Sequence, residues 1–200
     1  MLEIEKDLHE KGYEFIAGID EVGRGPLAGP VCAAAVILPK DLVIDGINDS
    51  KKLSEKKREK LYIEIIENAV DYSVEFVSPQ VIDDIRIRMA THLAMANAVA
   101  NLEVIPNFLI VDGNDNIDFD IPSEYIIKGD GKAQAIAAAS IIAKVTRDRY
   151  MKTMDDEYPE YAFAKNKGYG TKVHMEAIRE FGLTDIHRKT FITKKVLGIE

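Results

Sequence analysis

Three short apolar runs in this chain end in acids. Ile19 leads into Asp20 and Glu21, Ile110-Val111 into Asp112-Gly113-Asn114, and Ile126-Ile127-Lys128-Gly129 into Asp130-Gly131-Lys132. In open α/β sheets, ligands bind beyond the carboxyl ends of the strands. Four carboxylates gathered there resist common ionisation unless cations neutralise them. Hard oxygen donors suit Mg²⁺ or Mn²⁺ and not zinc. Two such ions, roughly 3.5 to 4 Å apart, stabilise the attacking and leaving oxygens of in-line phosphoryl displacement. Plainer readings stand beside this one. Asp130 before a helix is a natural N-cap, Asp112-Gly113 is a common turn pair, and Asp20-Glu21 could be two solvated acids. Asp115, Asp118 and Asp120 read as a solvated excursion and are left outside the site.

The elements that must position these acids follow from pattern. Glu14 to Asp20 and Val31 to Leu38 read as buried strands, paired because the Gly/Pro-rich loop from Gly23 to Pro30 is short. Ser54 opens a helix running to about Ala69, with Leu61, Ile65 and Ile66 at helical spacing. Tyr72 to Val77 alternates as a strand. Pro79 begins a helix that extends, with room for a break, to about Leu102. Phe108 to Val111 and Tyr125 to Ile127 are short strands. Ala133 to about Met154 is a long alanine-rich helix whose small residues allow close approach to a sheet, and Val173 to Phe181 is a last helix. The expectation is an α/β protein with a central mixed sheet flanked by helices.

Other chemistry is weakly supported. Gly23-Arg24-Gly25 is followed by Pro26, out of register for a dinucleotide fingerprint. Gly129-Asp130-Gly131-Lys132 has Ala133 where a phosphate-binding loop needs Ser or Thr. The histidines, His9, His92, His174 and His187, lack metal-ligand spacing. Ser140 lies inside a helix and reads as a packing residue. Cys32, the only cysteine, excludes an intramolecular disulfide and reads as a small core residue.

The 200 residues carry 26 Lys and Arg against 34 Asp and Glu, a net charge of −8. That average argues against a nucleic-acid partner, but it hides three basic segments. Residues 51–60 hold six basic and two acidic groups, residues 131–152 five and one, and residues 161–200 eight and four. Lys51, Lys52, Lys165, Lys167 and Arg188 are the candidate phosphate contacts from these segments. The N-terminus lacks a signal-peptide core and no run reaches membrane-span length, so the cytoplasm is the default. No linker or repeat marks a boundary, so a single domain over residues 1–200 is expected, with a helical C-terminal part from about residue 155.

The run from Gly18 to Val31, Gly-Ile-Asp-Glu-Val-Gly-Arg-Gly-Pro-Leu-Ala-Gly-Pro-Val, resembles the signature block of ribonuclease HII, the type 2 ribonuclease H family. The resemblance continues, in order, through residues 47–53, 111–114, 128–130, 137–145, 167–171 and 187–191. It implies a ribonuclease H-like fold. It also implies a metal-dependent endonuclease that cuts the RNA strand of RNA–DNA hybrids and cuts at single ribonucleotides within duplex DNA, leaving 5′-phosphate and 3′-hydroxyl ends. By resemblance the four catalytic, metal-binding carboxylates are Asp20, Glu21, Asp112 and Asp130, served by two Mg²⁺ or Mn²⁺ ions; Asp20 is assigned as the shared ligand from its place on the strand interior side of the pair, not from the resemblance. Gly23, Arg24, Gly25 and Tyr169 match the family's substrate-binding residues, with Lys51 and Lys52 added from charge. The expected partners are hybrid and ribonucleotide-containing DNA, with no membrane, and the expected state is a monomer. An inert hybrid-binding module and a junction nuclease of the same fold are the competing classes.

Overall fold

The computed structural model describes residues 2–199. Its sheet has five strands in the order β3-β2-β1-β4-β5. β1 (Ile16–Val22) runs antiparallel to β2 (Val31–Ile37), which runs antiparallel to β3 (Asp71–Val77). On its other edge β1 runs parallel to β4 (Phe108–Asp112), and β4 runs parallel to β5 (Ser123–Ile126). The sheet is therefore mixed, as the sequence pattern predicts, and β1 continues two residues beyond the expected Asp20.

β2 is buried along its whole length because both faces are covered. Ala33, Ala35 and Ile37 join Ala17, Ile19, Leu109 and Val111 beneath α3 (Pro79–Ala100). Cys32, Ala34 and Val36 face the opposite layer, made by α2 (Glu55–Asn68) and α4 (Gln134–Glu157). Alternation along one strand thus feeds two cores. The Cys32 thiol is pushed up by burial and is a core residue without thiolate character.

Two features set the position of α4. A Cβ on Gly18 would stand 2.2 Å from the backbone carbon of Ala135, so only glycine lets the helix come this close to β1. Ala133, at the N-cap, has no side-chain acceptor. The amide of Ala135 donates instead to Glu5 on α1 (Glu3–Glu10), at 2.9 Å. The sequence pattern did not reveal α1. Ser54 does cap α2, accepting from the amide of Lys57. The break expected in α3 falls at Arg86, which has φ 72°.

After α4 the chain forms short helices, α5 (Phe163–Asn166), α6 (Lys172–Phe181) and α7 (Lys194–Leu197). They pack around Met151, Tyr161, Phe163, Ile178 and Ile186. This layer returns to the sheet through the loop after β1, where the amides of Leu27 and Ala28 donate to the carbonyl of Gly168. No helix among the described residues is long and apolar enough to cross a membrane.

Candidate active site

Parallel pairing of β1 with β4 sets Ile19 beside Val111, so Asp20 and Asp112 leave the sheet as neighbours. Asp112 Oδ1 accepts from the amide of Gly129 at 2.6 Å, which anchors the 3₁₀ turn carrying Asp130. Asp130 sits inside this turn, short of the N-cap of α4, so the plain N-cap reading does not hold.

Electrostatics show that the acids form one group. Burial raises the Asp20 carboxyl well above the usual range, and the charges of Glu21 and Asp112 raise it further. Burial also raises Glu21, with Arg24 opposing and Asp112 adding. Asp130 is raised by burial, then by Asp112 and Asp49. Mutual repulsion among oxygen donors is relieved when divalent cations bind between them. Among the described residues no three His, Cys, Asp or Glu side chains are drawn into a ready-made metal cage. The acids instead come from the ends of β1 and β4 and from the 3₁₀ turn after β5, with a cleft lined by Glu21, Arg24, His92, Asp112, Asn114 and Asp115 on one side. An open site of this kind leaves room for substrate.

These shifts fix a pH dependence. A carboxyl whose folded value is raised contributes stability below its ordinary value of 3.8, and that contribution is lost as the pH rises through the raised value. Asp20→Asn is therefore expected to raise the melting temperature in chelator at neutral pH by about 2 to 6 °C, with the gain vanishing in acid below pH 3.8. Melting curves at two pH values test this. An unchanged or lower melting temperature at neutral pH would contradict the repulsion.

The cationic side chains separate into distinct roles. Burial works to lower the Lys51 ammonium, but Asp20, Asp130, Asp49 and Glu21 outweigh it, so Lys51 faces the acids. Lys52 stands 3.6 Å from Asp49 and is exposed. Arg24 lies 3.6 Å from Glu21. Lys165 is exposed, and the Lys167 ammonium donates to the carbonyl of Ala164. Arg188 requires a correction. It is fully buried, and its guanidinium donates to the carbonyls of Gly23 (2.6 Å), Arg24 (3.0 Å) and Gly29 (2.9 Å). It therefore holds the loop that presents Arg24 and cannot reach a phosphate itself. Arg147, also fully buried, donates to the carbonyls of Ala28, Pro30 and Lys167 and ties the same loop to the Tyr169 segment.

Tyr169 is half-exposed, and a Cβ on Gly25 would lie 3.5 Å from its ring. The structure thus brings Gly23, Arg24, Gly25 and Tyr169 together, next to the acids. Sequence reasoning missed two members of the site. Asp49 accepts from the amide of Lys51 and adjoins Asp130. Ser140, read as a packing residue, has its hydroxyl 2.9 Å from that of Ser50 and acts by hydrogen bonding to offset the raised Asp20. A serine among the alanines facing β1 was the available signal for the second. Asp115, left outside the site, pairs with Arg88 at 2.5 Å.

The fold is that of the ribonuclease H-like class. A family model described as Ribonuclease HII matches residues 17–194. The Ribonuclease HII of Caldicellulosiruptor saccharolyticus is 52% identical over 190 residues, spanning 95% of this chain and 93% of that protein. The crystal structure of ribonuclease H2 from Pyrococcus horikoshii OT3 superposes with a TM-score of 0.79 at 28% identity, covering 92% of this chain and 97% of that one. Bst-RNase HIII, in a complex with Mn²⁺, shares the fold with a TM-score of 0.67 at 21% identity, over 95% of this chain and 71% of that one. The chain belongs to the ribonuclease HII family, and is a hydrolase and a nuclease of the ribonuclease H kind.

Proposed function

We propose that the protein is a metal-dependent endonuclease. On this reading it hydrolyses the RNA strand of RNA–DNA hybrids and cuts duplex DNA at single ribonucleotides, leaving 5′-phosphate and 3′-hydroxyl ends. The observation that carries this reading is the juxtaposition of two groups on one chain segment. Asp20 and Glu21 belong to the repelling acids, and Gly25, a few residues on, lies beside the Tyr169 ring.

Asp20, Glu21, Asp112 and Asp130 would hold two Mg²⁺ or Mn²⁺ ions, Asp20 being the most buried of the four. Bound there, such ions would supply an activated water and charge stabilisation for the leaving 3′-oxygen. Support for the metal class comes from donor chemistry, and the Mn²⁺ complex of Bst-RNase HIII agrees with it. The chain's own groups then bind and select. Glycines let the backbone of the Gly23 to Gly25 turn approach a sugar and its phosphate. Tyr169 places an aromatic face and a hydroxyl against the ribose, where the 2′-hydroxyl distinguishes RNA from DNA. Lys51, beside the acids, and Lys52, at the exposed rim, take phosphates along the strand. On this reading the chain works as one catalytic unit and as a monomer in the cytoplasm, with the part from about residue 155 supplying Tyr169.

Tyr169→Ala is expected to slow cleavage at a single ribonucleotide by about 10- to 100-fold, the loss of one hydrogen bond plus ring contact. Single-turnover rates on such a duplex measure it. An unchanged rate would overturn the sensing role.

A further inference from the structure

Two histidines that the catalytic reading does not use meet in the C-terminal layer. His174 on α6 is fully buried and His187 nearly so. Their Nε2 atoms are 3.0 Å apart. His174 Nδ1 lies 2.9 Å from the carbonyl oxygen of Tyr169. The amide of Thr184 donates to His187 Nδ1 at 2.9 Å.

These contacts allow one arrangement of protons when both rings are neutral. The carbonyl of Tyr169 only accepts, so His174 carries its proton on Nδ1 and accepts at Nε2. His187 must then donate from Nε2, which leaves Nδ1 free to accept from the Thr184 amide. The result is a directed chain from Thr184 through His187 and His174 to Tyr169. We propose that His174 and His187 are positioning residues, a proton-ordered strut that fixes the backbone at Tyr169 and so sets its ring against the Gly23 to Gly25 turn. This inference rests on the reading of Tyr169 as the ribose-sensing side chain.

The surroundings suit such a strut. The rings of Tyr161 and Phe163 pack on both imidazoles, with centroids 5.2 to 6.2 Å away. Burial, then the partner imidazole, pushes His187 down to about 4. Burial lowers His174 against the carbonyls of Tyr169 and Gly168. Among the described residues no carboxylate contributes at either ring. An added proton would set two donors facing each other at the Nε2 contact, or would displace the Thr184 amide from His187 Nδ1, whose other neighbour is the Thr184 hydroxyl at 2.8 Å. A histidine lowered on folding contributes stability above its ordinary value of 6.5, and loses it as the pH falls toward about 4.

Two measurements test the strut. Long-range proton–nitrogen NMR of the wild-type protein at neutral pH should show His174 protonated on Nδ1 alone and His187 on Nε2 alone. The opposite tautomer at His174, or a charged ring, would overturn the proposal even if every variant failed to fold. In the second, His174→Leu is expected to slow single-ribonucleotide cleavage about tenfold, the effect of one lost hydrogen bond. His174→Asn, whose amide can still donate to the Tyr169 carbonyl, should restore most of the rate. The His174→Leu, Tyr169→Ala double variant should be no slower than Tyr169→Ala. Multiplying losses would overturn the strut and leave the sensing role standing. Full activity of Tyr169→Ala would instead remove the sensing reading, and with it the strut's bearing on cleavage.

Discussion

Asp112→Asn is expected to lower cleavage by about a thousandfold or more while the fold survives. Asp112 ends β4, where its Oδ1 accepts from the Gly129 amide. An asparagine carbonyl oxygen can keep that bond, so the turn holding Asp130 has no reason to move. What disappears is one charge among four. Electrostatic support for a phosphoryl transition state is worth several kcal/mol, and each 1.36 kcal/mol is about tenfold in rate. Circular dichroism and melting should match the wild type while single-turnover cleavage collapses. Undiminished cleavage by a folded variant would remove Asp112 from the site.

Gly18→Ala is expected to act on stability, by about 3 kcal/mol or more. The new methyl would lie 2.2 Å from Ala135 C, 2.4 Å from Ile136 N and 2.5 Å from Ala135 O. All three are backbone atoms of the α4 N-terminal turn, so no side chain can swing aside. Either β1 or α4 must shift, and these elements carry Asp20 and Ser140. For a chain of this size the melting temperature should fall by about 6 to 12 °C. A melting temperature unchanged within error would show that the close approach is not required.

Apolar runs marked β1, β2 and β4, because a sheet buried on both faces leaves unbroken apolar stretches, while alternation marked the partly exposed β3, and β5 was read as Tyr125 to Ile127, two residues late at its start and one at its end. β2 and the short β4 were legible for that reason. The four acids were legible because strand ends are where an α/β sheet presents side chains. α1 was not, since its main task, lending Glu5 to cap α4, joins residues 130 positions apart. Arg188 was misread for a related reason. A basic residue in a basic segment looks solvated, and only the folded chain shows its guanidinium enclosed by the carbonyls of Gly23, Arg24 and Gly29. The histidine pair was invisible in the same way, because a hydrogen bond between rings 13 positions apart leaves no periodic trace. Net charge misled most: the average of −8 conceals a cluster of four acids and three segments with a local excess of basic residues.

The most direct test of the central claim is a cleavage assay on three labelled duplexes: DNA with one ribonucleotide, an RNA–DNA hybrid, and all-DNA. Each would be incubated with Mg²⁺ or Mn²⁺ and, separately, with a chelator. Cutting of the first two duplexes only when metal is present, with the all-DNA duplex left intact, is the predicted result. Cleavage of the all-DNA duplex, or cutting that persists in chelator, would contradict it.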